Sequence, residues 1–130
     1  MEAAGGHPAA SADRLRAQFD ARVGQRLTRD DTLYLVAELD GTGVGMLEAS
    51  HFPQASVFQS CELLHIHAVY VDEAYRRRGI ARQLIEQAMA WGREQGCALV
   101  ELNVLPNNPA QQLYRALGFD VFQYEMIRPL

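Results

Sequence analysis

Apolar residues recur along this chain at two spacings, and each segment keeps to one of them. Over 11–27, Ala12, Leu15, Phe19 and Val23 stand three or four positions apart, and Ser11 with Asp13 forms a start signal, so a helix is predicted there. The run TLYLVAEL from Thr32 is β-branched and aromatic, Asp40-Gly41-Thr42-Gly43 follows as a turn, and a second strand runs over 44–50. These make an antiparallel hairpin, followed by a polar loop over 51–59. The stretch ELLHIHAVYV, 62–71, reads as a long strand with Leu63, His65, His67, Val69 and Val71 on one face and Leu64, Ile66, Ala68 and Tyr70 on the other. A helix is predicted over 79–95, where Ile80, Leu84, Ala88 and Trp91 share a face and Gly96 supplies the stop. A strand over 98–104 comes next, then a short helix over 109–117 capped by Asn107 or Asn108 and ended by Gly118, and a last strand over 119–127.

The strand, helix, strand run in the middle is a right-handed crossover, so its two strands are parallel and their carboxyl ends face a shared crevice. The fold class is therefore α/β, with a mixed sheet around that crossover. Residues 1–10, rich in Ala and Gly, have no period that buries a face and are read as a flexible N-terminus ahead of one domain over 11–130. The length of 130 residues suits a single domain. With 48% hydrophobic and 22% charged residues, the composition excludes a wholly disordered chain. Apolar runs are broken by Glu, His or Arg before the roughly 18 residues of a membrane span, and nothing resembles a signal peptide. The reading is a soluble cytoplasmic protein without a membrane partner.

A net charge of −4 gives no field that attracts nucleic acid. All twelve basic residues are arginines, and Arg76, Arg77, Arg78 and Arg82 are crowded together. They surround Gly79, Ile80 and Ala81 at the predicted start of the long helix, where backbone N–H groups converge, the helix dipole favours an anion and glycine permits close approach. A pyrophosphate fits that place; a solvated basic helix start is the plainer alternative. Cys61 and Cys97 are too few for a disulfide framework or a thiolate zinc site. Gly41, Gly43 and Gly45 lack the Lys-Ser or Lys-Thr of a phosphate loop, and a hairpin explains them better.

Two spaced motifs then give a resemblance. Arg76, Gly79 and Ala81 match the acyl-CoA loop of the GNAT acetyltransferase superfamily, and Asn107, Ala110, Tyr114, Gly118 and Phe119 match its second motif, in the same order. The resemblance spans roughly 32–130. It implies a GNAT-like mixed sheet, in which this chain shows no counterpart of the usual first strand and first helix; either the true start lies upstream, or the sheet would begin at Thr32 with an edge for a partner chain to cover, as in a homodimer. It implies acetyl-CoA as co-substrate, its pyrophosphate on the backbone of 76–81 and its pantetheine arm along the edge of Val69, Tyr70 and Val71, with Asn107 and Asn108 beside it. A backbone N–H on that edge would meet the developing oxyanion. Tyr114 would be the general acid that protonates the leaving thiolate, which suits a phenol of reference pKa about 10; a lone tyrosine on a helix face would more often simply pack on the sheet.

His-Ile-His-Ala-Val-Tyr-Val resembles the matching strand of serotonin (arylalkylamine) N-acetyltransferases, which makes His65 and His67 candidates for the base that deprotonates an amine. Hydrogen-bonded core histidines and a metal pair remain the other readings; no third ligand is evident and no metal is expected. Glu62 would be a reserve base only if a bulge reversed the strand's alternation. The function expected is acetyl transfer to a small primary amine by direct attack. A catalytically silent acyl-CoA-binding module is the first alternative and a metal-dependent hydrolase the second.

Overall fold

The computed structural model describes residues 23–54 and 61–130. The expected flexible N-terminus over 1–10 and helix residues 11–22 lie outside the described residues, as does most of the 51–59 loop. Among the described residues five strands form one sheet in chain order: β1 (Val23–Arg29), β2 (Thr32–Leu39), β3 (Thr42–Gln54), β4 (Cys61–Val71) and β5 (Cys97–Leu102). The first four pair antiparallel, and β5 joins β4 in parallel through α1 (Ile80–Glu94). A short helix, α2 (Gln111–Ala116), follows.

Local chemistry accounts for most of this. Asp40 and Gly41 have φ of 53° and 79°, the pair of positive values that a two-residue hairpin between β2 and β3 needs. Gly96 at φ 85° ends α1, its N–H bonding to the Arg93 carbonyl. Leu33, Leu35, Leu47, Ala49, Leu64 and Ile66 turn one sheet face toward Leu84, Ile85, Ala88 and Trp91 of α1, and all are buried. Each fully buried leucine contributes about 1.5–3 kcal/mol. Gly92 brings the helix close, since a Cβ there would lie 2.9 Å from Leu64 Cδ2.

Four expectations are corrected. Residues 23–27 are strand, not helix, and among the described residues the sheet begins at Val23, not Thr32, so the edge expected at Thr32 is covered by β1. Val23 fits the four-residue spacing from Phe19, so its segment reads as helix in the sequence, while a tight Asp30-Asp31 turn with Asp30 at φ 55° folds β1 back onto β2. Residues 51–54 continue β3, because β4 offers them a partner from His51↔Leu64 to Gln54↔Cys61. Pro53 is tolerated there because β2 stops pairing at Thr32↔Ser50, which leaves an edge. The short helix begins at Gln111, not Pro109: Asn108 Oδ1 accepts from Ala110 N–H at 2.8 Å and caps the preceding turn. Finally, 119–127 forms no strand despite its β-rich composition, because strand pairing needs a neighbour that local sequence does not supply; Tyr124, Met126 and Ile127 stand exposed.

Candidate active site

The long strand β4 outruns its parallel neighbour. Pairing with β5 ends at Ile66↔Leu102, whereas β4 continues to Val71 with β3 alone on its other side. Among the described residues the last five of β4 thus have strand partners on the β3 side alone, the strands part beyond Ile66↔Leu102, and Val69, Tyr70 and Val71 lie on the edge so left. One carbonyl there is already used: Arg76 Nε donates to Val71 O at 2.8 Å, and its guanidinium lies 5.7 Å from the Tyr70 ring centre. Gly45 is needed beside this edge, since a Cβ would meet Tyr70 O at 3.0 Å and Ile80 Cγ2 at 3.3 Å. Of the three glycines in that hairpin, only Gly41 sits in the turn itself.

Past β4, a single 3₁₀ turn at Glu73–Tyr75 leads into the arginine-rich loop. Arg77 has φ of 65° and Gly79 of 82°, so the backbone is turned twice before α1 begins. The first helical bond is Gln83 N–H to Gly79 O at 3.0 Å, the N-cap residue Gly79 has no side chain with which to cap the helix, and no acidic residue occupies its first turn. The N–H groups of Ile80, Ala81 and Arg82 precede any intrahelical acceptor, and with the dipole they form an anion cradle. The arginine side chains have other partners as well: Arg78 lies 5.5 Å from the Tyr75 ring centre and Arg82 pairs with Glu86 at 3.3 Å. Those side chains are engaged with neighbours, while the N–H groups of 80–82 precede any acceptor within the helix.

Tyr114 sits on α2 and packs against the core beside Leu113 and Leu117. The helix closes with two bonds, Phe119 N–H to Tyr114 O and Gly118 N–H to Arg115 O, each 3.0 Å, with Gly118 at φ 96°. This Schellman closure brings the Phe119 ring edge-on to Tyr114, centres 6.1 Å apart, so Gly118 and Phe119 fix where Tyr114 stands. Burial raises the Tyr114 phenol above its ordinary value, which keeps it protonated. Asn107 is exposed on the loop before α2, next to Asn108.

On the face of the sheet away from α1, a row of side chains crosses four strands: Thr32↔Ser50↔His65↔Glu101. His65 Nδ1 lies 2.6 Å from Glu101 Oε2, and Ser50 Oγ lies 2.6 Å from His67 Nε2. The two imidazoles meet edge to face at 4.6 Å. They share a side as predicted, but strict alternation fails: Glu48 pairs with Ala68 and Ala49 with Ile66, so His67 is an extra residue that bulges β4 and puts Ile66 and Val69 on one face. Glu62 is not brought to the histidines. It pairs with His51 at 2.7 Å, on the side where His51 meets Trp91. Neither Glu101 nor Ser50 was singled out from sequence, because only strand pairing brings them to the histidines. Among the described residues no group of three or more His, Cys, Asp or Glu converges as a metal site would require. Cys61 and Cys97 are free thiols, half-buried on neighbouring strands.

A model of the acetyltransferase (GNAT) family matches residues 5–119. Aminoglycoside N(6')-acetyltransferase type 1 of Salmonella typhimurium is 29% identical over 96 residues, which cover 72% of this chain and 66% of that protein. An uncharacterized N-acetyltransferase of Methanocaldococcus jannaschii is 34% identical over 95 residues, covering 72% of this chain and 42% of that one. Among solved structures, the aminoglycoside N-acetyltransferase AAC(6')-Iy in complex with CoA superposes with a TM-score of 0.70 at 26% identity, over 78% of each chain. The parted strands, the uncapped helix start and a family match over most of the length agree: this chain belongs to the acetyltransferase (GNAT) family.

Proposed function

We propose that the protein is an acetyl-CoA-dependent N-acetyltransferase acting on a small amine. The observation that carries this reading is the opening between β4 and β5 beside the uncapped N-terminus of α1. The residues present suit acetyl-CoA: the backbone of 76–81 would hold its pyrophosphate, and the free edge of β4 over 67–71 would take its pantetheine arm, which delivers the thioester to the gap. Asn107 and Asn108 border the cofactor side. His65 or His67 takes the proton of the incoming ammonium, because only a neutral amine attacks a thioester, and Tyr114 protonates the departing thiolate. The relatives named as aminoglycoside acetyltransferases make polyamino sugars the first acceptors to try, and a chain of net charge −4 suits a cationic acceptor.

Acetyl-CoA binding measured by calorimetry, followed by thiol release across a panel of amines that begins with aminoglycosides, tests the reading. Binding with release supports it; binding without release for any amine makes the protein a silent acyl-CoA module, and no binding ends the proposal. Tyr114→Phe is expected to lower kcat by roughly a hundredfold to ten-thousandfold, the range of a positioned acid. Its acetyl-CoA affinity should stay near wild type; an unchanged kcat removes Tyr114 from the mechanism.

A further inference from the structure

We infer that Glu101 is a positioning residue that makes His65, through its Nε2 atom, the base of the pair. This rests on the proposed amine deprotonation by the histidines and deepens it. A carboxylate only accepts hydrogen bonds, so at 2.6 Å from Glu101 Oε2 the His65 Nδ1 must carry the proton and donate it. In the neutral ring the remaining lone pair is then on Nε2. His67 has no such fixed partner: a serine hydroxyl both donates and accepts, so Ser50 leaves either tautomer open to it.

Position supports the assignment. His65↔Glu101 is the second-last rung of the parallel ladder, one residue before the strands part, so the pair is at the mouth of the gap where the thioester would arrive. The His65 side chain is 17% exposed and Glu101 50%, so the ring is sheltered while solvent still reaches the carboxylate. The proton leaves the substrate ammonium, bonds to His65 Nε2 and gives an imidazolium whose Nδ1–H stays hydrogen-bonded to Glu101; the freed amine lone pair attacks the thioester carbon, the C–S bond breaks as the thiolate takes the Tyr114 proton, and the surplus proton of the attacking nitrogen restores Tyr114. The charged ring is stabilised by the carboxylate it already holds, and the proton then passes to solvent. The ring of His67, 4.6 Å away, packs edge to face on this base and restricts its rotation.

The first readout needs no knowledge of the acceptor. In protein labelled with ¹⁵N-histidine at about pH 8, above the ordinary imidazole range, His65 should show the Nδ1–H tautomer, its signal assigned by its loss in H65Q. E101Q should shift that tautomer toward Nε2–H, since an amide can donate as well as accept, and E101D should restore it. With the best amine from the screen, E101Q should lose at least about tenfold in kcat, part of the ~10²–10⁴ that a positioned base supplies, with acetyl-CoA affinity unchanged and E101D partly rescuing. E94Q, a surface control, should change neither readout. A wild-type tautomer and rate in E101Q, combined with a strong loss in H65Q, would overturn the pairing while leaving the histidine base intact. An unaffected rate in H65Q would overturn both.

Discussion

Gly79 concentrates the demands of the proposed cofactor side in one residue. Its φ of 82° is open to glycine and costs an L side chain about 1–2 kcal/mol, and it is the N-cap whose carbonyl starts α1. A larger residue would resist the turn that leads into the N–H groups of 80–82. Gly79→Val is therefore expected to weaken acetyl-CoA binding by about tenfold or more, equivalent to 1.4 kcal/mol, with helix content by circular dichroism unchanged. Equal affinity for the two proteins would place the pyrophosphate elsewhere. The same residue shows why the loop was legible in the sequence and the histidine row was not. Arg76, Gly79 and Ala81 act through local backbone geometry, which a spacing of residues encodes. Glu101 and Ser50 reach the histidines across 36 and 17 positions of chain, through a register that only the folded sheet defines.

Elements formed where their reason was local. α1 was readable because the four-residue spacing of Ile80, Leu84 and Ala88 is the spacing of its buried face, and the β2–β3 hairpin because Asp40-Gly41 suits its turn. β1 escaped because its turn, Asp30-Asp31, has no glycine and its first residue also fits a helical spacing. Packing between elements is equally specific at Gly92. An added methyl there gains up to about 1 kcal/mol of helix propensity, yet it would sit 2.9 Å from Leu64 Cδ2, an atom of a buried side chain. Gly92→Ala is expected to lower stability by about 1–3 kcal/mol in the wild type, as overpacking does. In a Leu64→Ala background the clash is gone and part of the cavity is filled, so the same substitution should raise stability. Urea midpoints of the four proteins check this, and equal effects in both backgrounds would refute close packing at this point.

At the scale of the whole molecule, the two groups among the described residues that are held away from their ordinary ionisation point the same way. Burial, joined by the negative charge of Glu62 and by Cys61, raises the Cys97 thiol, and burial raises the Tyr114 phenol. Each is neutral when folded, and each loses its proton more readily when unfolded, so the unfolded chain binds fewer protons as pH rises. The stability they contribute is present in full below the ordinary thiol and phenol values, about 8.5 and 10, and is lost as pH climbs through the raised folded values. Stability should thus fall in two stages on the alkaline side. Cys97→Ser should remove the earlier stage and Tyr114→Phe the later one, read as urea midpoints at successive pH values. A double variant that declines as steeply as the wild type would show that other groups govern alkaline unfolding. The same link connects stability to catalysis: the partial burial that disfavours the Tyr114 phenolate keeps a proton on the residue proposed to donate one, so an exposed tyrosine at this place would ionise more readily and serve less well as the acid.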